Sequence, residues 1–187
     1  MIEQTLQFIR TQLSNDPTID LDANEIIADN MHVLSTSNPD EGLYLSLINI
    51  EEEPTLKNRP NYDKINGQLK RIEPPIILNL YILFALNLDN YNTCILKLSQ
   101  LISFFQTKKW FNVDSMSDTQ LFTPPLDKIV FELYNMTFEQ MNHIWSVLGG
   151  NHYPSVVYKV RVVKVQRNVQ HEAQEVTSVE LKSSVSN

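Results

Sequence analysis

The run from Pro74 to Trp110 constrains the fold most strongly, because an apolar segment broken only by Asn79 passes directly into a regular helical repeat. Ile76, Ile77, Leu78, Leu80, Tyr81, Ile82, Leu83 and Phe84 form a β-rich segment that is too short to cross a bilayer as a helix and is polar again by Asn87 and Asp89. A strand apolar on both faces belongs in the middle of a sheet. After the turn signals Asn87, Asp89 and Asn90, the apolar residues Tyr91, Cys94, Ile95, Leu98, Leu101, Ile102 and Phe105 recur at three- and four-residue spacing. That spacing gives a helix one apolar face, which can lie back on the sheet.

The flanking sequence extends this nucleus. Ile2, Leu6, Ile9 and Leu13 fall on one stripe, predicting an amphipathic helix that stops between Ser14 and Pro17 and covers a sheet face. Ile26 to Leu34 reads as a first strand with a bend at Asp29 and Asn30. The turn cluster Ser37 to Gly42 precedes a second, alternating strand from Leu43 to the acidic end Glu51, Glu52 and Glu53. Pro54 to Glu73 is a polar excursion, read as a loop, that holds Lys57, Arg59, Lys64, Lys70 and Arg71.

Beyond the central helix, Trp110, Phe111 and Val113 interrupt a polar linker as a short lid, and Ile129 to Tyr134 alternates as a strand. Thr137 and Gln140 have capping-box spacing, and Phe138, Met141, Ile144, Trp145 and Leu148 make a core-facing helix ending at Gly149 and Gly150. Val156 to Val165 is a last strand whose Lys159, Arg161 and Lys164 suit a guarded sheet edge. The order is helix, two strands, loop, strand, helix, strand, helix, strand. It predicts one α/β (α+β) domain over residues 1–167, with a mixed, mostly antiparallel sheet of about four to five strands flanked by about two to three helices. Residues 168–187, rich in Gln, Glu and Ser, read as a flexible tail.

The chemistry is bounded by what the sequence contains. A net charge of -7 argues against a phosphate-binding surface, so no nucleic-acid partner is expected. The start of the chain lacks the basic-then-apolar pattern of a signal peptide or anchor, which predicts cytoplasmic synthesis and no direct membrane insertion. Cys94 sits on an apolar helix face as a small hydrophobe. His32, His143, His152 and His171 lack paired ligand spacing, and neither a phosphate loop nor a nucleophile elbow is present, so no metal, cofactor or catalytic residue is expected. Neighbouring residues on a strand face opposite ways, so adjacent members of Glu51, Glu52 and Glu53 do not converge as acid and base and read as a solvated strand end.

Four sets of residues carry a resemblance: Asn49 to Asn58; Pro74 to Phe84; Phe104, Phe105 and Gln106; and Glu132 to Asn135 continuing through Gln140, Trp145 and Gly149 to Tyr153–Arg161. Together they resemble the family found at the N-terminus of tail-terminator (cap) proteins of extracellular contractile injection systems, phage-tail-like particles of the antifeeding-prophage and virulence-cassette type. The resemblance implies a non-enzymatic ring, a hexamer, that ends the inner tube and sheath at the distal end. Its partners would be itself, the sheath protein and the tube protein, assembled in the cytoplasm into a particle that is released or docked at a membrane. Two interfaces are expected within this role: Glu51, Glu52, Glu53, Lys57 and Arg59 at a ring or tube contact, and Val156, Tyr158, Val160, Arg161 and Val162 as an edge that accepts an extended arm. The alternatives are an adaptor or baseplate component of the same particle and a monomeric module that binds a peptide or small ligand.

Overall fold

The structure is a computed structural model that describes residues 2–35, 38–54, 62–65, 68–72, 76–112, 128–148, 151–165 and 170–172. The expected central strand is β5, Ile76–Asn87, and it runs through the middle of a six-stranded sheet. Its neighbours are β2, Gly42–Glu52, and β8, Ser155–Val165, both antiparallel to it. Outside β2 lies β1, Ile26–Ala28, the one parallel neighbour; outside β8 lie β7, Lys128–Tyr134, and β6, Trp110–Asn112. The spatial order is β1-β2-β5-β8-β7-β6.

Both faces of β5 are covered, which explains why its apolar run is broken only by Asn79. Leu80, Ile82, Phe84 and Leu86 enter one core with α1, Ile2–Ser14, and α2, Tyr91–Thr107. Tyr81, Leu83 and Ala85 enter a second core with Met31 and Leu34 of a 3-10 helix, Met31–Ser35, and Trp145 of α3, Phe138–Val147. Asn90 caps α2 by accepting from the amides of Asn92 and Thr93 at 2.9 and 3.4 Å. The expected capping box opens α3, with Thr137 and Gln140 exchanging hydrogen bonds of 3.0 and 3.2 Å.

Several expectations are corrected. The first strand stops at Ala28 because Asn30 and Asp29 cap the turn into the 3-10 helix; Asn30 Oδ1 accepts from the His32 amide at 3.0 Å. Trp110 and Phe111 belong to edge strand β6 rather than a lid, and Phe111 is buried against Phe8, Phe104 and Phe131. Residues 113–127, Gly149 and Gly150 lie outside the described residues. The main sheet has six strands instead of four or five.

The excursion at 54–73 holds a hairpin, β3, Tyr62–Ile65, and β4, Gln68–Ile72, and the stretch 168–187 contains β9, Gln170–Glu172. These form a second sheet in the order β3-β4-β9. Ile72 pairs with Gln170 where Ile76 pairs with Val165, so the same two chain segments run antiparallel through both sheets. The remainder of the expected tail lies outside the described residues.

The reading of β8 as a sheet edge is overturned: β5 and β7 occupy its two sides, and Val157, Tyr158 and Val160 are buried. Two of its basic residues find partners within the fold. Lys159 lies 5.5 Å over the Tyr81 ring and is in register with Glu132, and Arg161 contacts Glu132 and Glu53.

Candidate functional site

The alternation of strand side chains brings polar and charged residues of four strands onto the face covered by α3. On β2, Glu51 points to this face, and Glu53, just past the strand end, joins it. Tyr81 donates its hydroxyl hydrogen to Glu51 at 2.7 Å, and Asn79 Nδ2 donates to Glu53 at 2.9 Å. Glu53 is 6% exposed, so its expected place in a solvated strand end is corrected, whereas Glu51 and Glu52 are exposed. Burial is possible because Arg161 Nη2 stands 3.5 Å from its carboxylate. The same guanidinium donates to Glu132 at 2.9 Å on the far side.

The electrostatics follow from these contacts. Burial first, and then the hydrogen bond to Glu51, push the Tyr81 hydroxyl up to about 12, so it stays a donor at neutral pH. The bond to Glu132 raises Arg161 above its ordinary value, with burial opposing and Glu53 assisting. Each carboxylate is engaged by a fixed donor, so the cluster clamps β2, β5, β8 and β7 together and holds no paired acid and base. Among the described residues no group of acidic, His or Cys side chains could hold a metal ion.

Above this cluster, α3 stands off β2 and leaves two adjoining clefts of about 600 and 300 Å³. They share Ile48, His143 and Ile144; one opens beside Ala28 and Leu47, and the other ends at Glu51 and Tyr134. Val147, at the lip of the larger cleft, is 83% exposed.

Of the expected interface residues, the structure unites Glu51, Glu53 and Arg161. It turns Glu52 to the opposite face, sinks Tyr158 and Val160 into the core and packs Val156 against it. Val162 belongs to β8, and Lys57 and Arg59 lie outside the described residues. Asn79, Tyr81 and Glu132 were missed. The lone Asn inside an apolar run was the available signal for the first, since a buried amide needs a polar partner.

A family profile described as the Pvc16 N-terminal domain matches residues 3–178. Among solved structures, the chain is similar to the sheath/tube terminator of the extracellular contractile injection system PVC in its extended state. That match has a TM-score of 0.58 and 16% identity, covering 96% of this chain and 64% of the other. It is also similar to the anti-feeding prophage cap, a tube-terminating cap, with a TM-score of 0.53 and 15% identity over 77% of this chain and 50% of that one. The chain therefore spans less than two thirds of either solved chain, and at these identities the likeness shows the fold. No curated protein matches the sequence. With nearly its whole length inside that profile, the chain belongs to the Pvc16 N-terminal domain family.

Proposed function

We propose that this chain is a structural terminator of a contractile injection particle, closing the tube and sheath at their distal end without enzymatic activity. The observation that carries the reading is the fold shared with a sheath/tube terminator over 96% of the chain, in a sequence of the same family. Termination needs a rigid body with matched surfaces, and the clamped six-stranded sheet supplies one. The chain acts as a ring, a hexamer, against sheath and tube subunits, and joins the particle in the cytoplasm before release or docking. Closed cyclic symmetry lets a single surface pair satisfy every subunit of such a ring.

Within this role Glu52, with Lys57 and Arg59 beyond it, faces a neighbouring subunit or the tube. Electron microscopy of particles assembled with and without the chain tests the reading. Ragged or overlong tubes and sheaths with open distal ends are expected in its absence. Unchanged lengths and closed ends would reject termination and favour an adaptor or baseplate position.

A further inference from the structure

α2 carries two apolar stripes, and the core uses only one of them. Cys94, Leu101, Phe104 and Phe105 are buried. Tyr91, Ile95, Leu98 and Ile102 recur at intervals of four, three and four residues, which sets them in one row along a flank of the helix. Tyr91 is 68% exposed, Ile95 and Ile102 are exposed, and Leu98 packs against the core only in part. The helix and the linkers on both sides of it fall within residues 76–112, which are described throughout. At the Tyr91 end, Leu88, Tyr153 and Pro154 continue the apolar surface into a cleft of about 350 Å³.

The same helix offers water almost no charge. In a chain that is 20% charged, Lys97 is the single charged residue of its seventeen. The Lys97 amine is held inward: it donates to the carbonyls of Ile19 and Asp20, each at 2.8 Å, and meets the Asp20 carboxylate at 3.2 Å, so its side chain is 11% exposed. The exposed polar residues beside the row, Asn92, Ser99, Ser103 and Gln106, are neutral. A surface helix ordinarily turns charged residues to solvent, so a flank of this composition is built to be covered.

We infer that this row is a contact between two copies of the chain, whose α2 helices pair antiparallel about a two-fold axis. Intervals of four, three and four read the same in either direction. A two-fold axis between Ile95 and Leu98 therefore sets Ile95 of each copy against Leu98 of the other, and Tyr91 against Ile102. Charge selects the direction. Asp89 precedes the helix and Lys108 and Lys109 follow it, so antiparallel copies bring acidic ends to basic ends, whereas parallel copies oppose like charges. The helix dipoles favour the same arrangement, with each positive end beside the other copy's negative end. A two-fold pair is not the head-to-tail contact of a cyclic ring, so the inference stands independently of the particle role.

Sedimentation equilibrium of the 187-residue chain should show a concentration-dependent equilibrium between one copy and two. Tyr91→Glu and Ile102→Lys each place a charge in the row and should each raise Kd by about tenfold or more. Combining Tyr91→Glu with Ile102→Lys sets opposite charges against each other across the pair and should return Kd to within about threefold of the wild type. Along one helix these positions are about 16 Å apart, so such a rescue cannot arise within a single chain. Mixed isotopically labelled and unlabelled wild type gives a reading without substitution, should a variant fold poorly. Isotope-filtered spectra should show methyl contacts between Ile95 and Leu98 of different copies. A chain that stays monomeric up to about 1 mM overturns the inference. So do single variants that associate as the wild type does, a double variant no better than its parents, or a mass above two copies. A mixed sample without contacts between copies also overturns it and leaves the row to a helix of another polypeptide.

Discussion

The guanidinium of Arg161 meets the carboxylate of Glu53 at 3.5 Å across the central strand, where Glu53 is nearly inaccessible to water. A buried carboxylate facing no cation keeps its desolvation cost, so removing the cation should be worse than removing the pair. Arg161→Met should destabilise the chain by about 2 kcal/mol, with partial exposure of the arginine lowering the effect from that of a fully buried pair. Adding Glu53→Gln should recover about half of the loss. Denaturant midpoints of the wild type, both single variants and the double variant close the cycle, and additive losses would show that the two groups are energetically independent.

Tyr81 and Tyr158 give the fold an alkaline limit. Burial, assisted for Tyr81 by Glu51, raises both hydroxyls to about 12 from an ordinary value of 10. Above pH 10 the unfolded chain releases protons that the folded chain keeps, so stability falls as pH rises. The contribution is complete below pH 10 and is lost progressively between 10 and about 12. Tyr158→Phe should flatten this decline. Tyr81→Phe should also flatten it while lowering stability at neutral pH by about 1 kcal/mol, through loss of the bond to Glu51. Urea midpoints across the alkaline range measure both effects.

Gly42 is where β1 can be detached. Its φ of 154° is one that residues with side chains rarely adopt, and a Cβ built there would collide with the Glu25 backbone carbonyl. That carbonyl receives the Leu43 amide and begins the β1–β2 pairing. Gly42→Ala should cost about 2 to 3 kcal/mol. Amide exchange should show the loss concentrated at Ile27 and Leu45; uniform faster exchange would place the strain elsewhere.

The sequence revealed elements whose signals were local. The apolar run of β5, the α1 stripe, the α2 helix and the Thr137–Gln140 capping box all appear where expected, because each depends on spacing within one segment, although Tyr91, Ile95 and Ile102 of the expected α2 stripe are exposed and Phe104 is buried in their place. Position in the sheet was less legible. The basic residues of β8 suggested an edge, yet Arg161 answers Glu53 and Glu132, which lie far away in sequence. Likewise, among the described residues β1 pairs with only Leu43 to Leu45 of the longer β2, and no residue of β2 encodes its partner's length. Phe138 shares the helical spacing of Trp145, but it is 90% exposed. Periodicity specifies a helix face without specifying how far its neighbour extends beneath it.

Glu52 is the residue to use for testing the acidic end of β2 in assembly. Reversing Glu53 would place a cation next to Arg161 and confound assembly with folding, and reversing Glu51 would lose the Tyr81 bond. Glu52 is exposed on the other face. At this solvent-exposed position any contact of the side chain is screened, so Glu52→Lys should change stability by no more than about 1 kcal/mol while reducing incorporation into particles. The defect should be larger at low salt, because exposed charges are screened over about 10 Å at 0.1 M. Particle yield and thermal melting of the same preparation separate the two effects, and normal incorporation would exclude Glu52 from the interface.

The contrast within α3 distinguishes packing from display. Trp145 is 5% exposed and lies among Met31, Leu34, Tyr44 and Leu83, with Tyr153 at 5.9 Å between ring centroids. Trp145→Ala leaves a cavity between α3 and the sheet and should cost about 3 kcal/mol. Phe138, at the first helical position, and Val147, at the last, are both strongly exposed. Phe138→Ser and Val147→Ser should each fall within about 0.5 kcal/mol of the wild type. Calorimetric melting orders the three variants directly. A Phe138→Ser loss as large as that of Trp145→Ala would mean that α3 sits one turn deeper on the sheet than the structure places it, and the cleft beside β2 would be correspondingly closed.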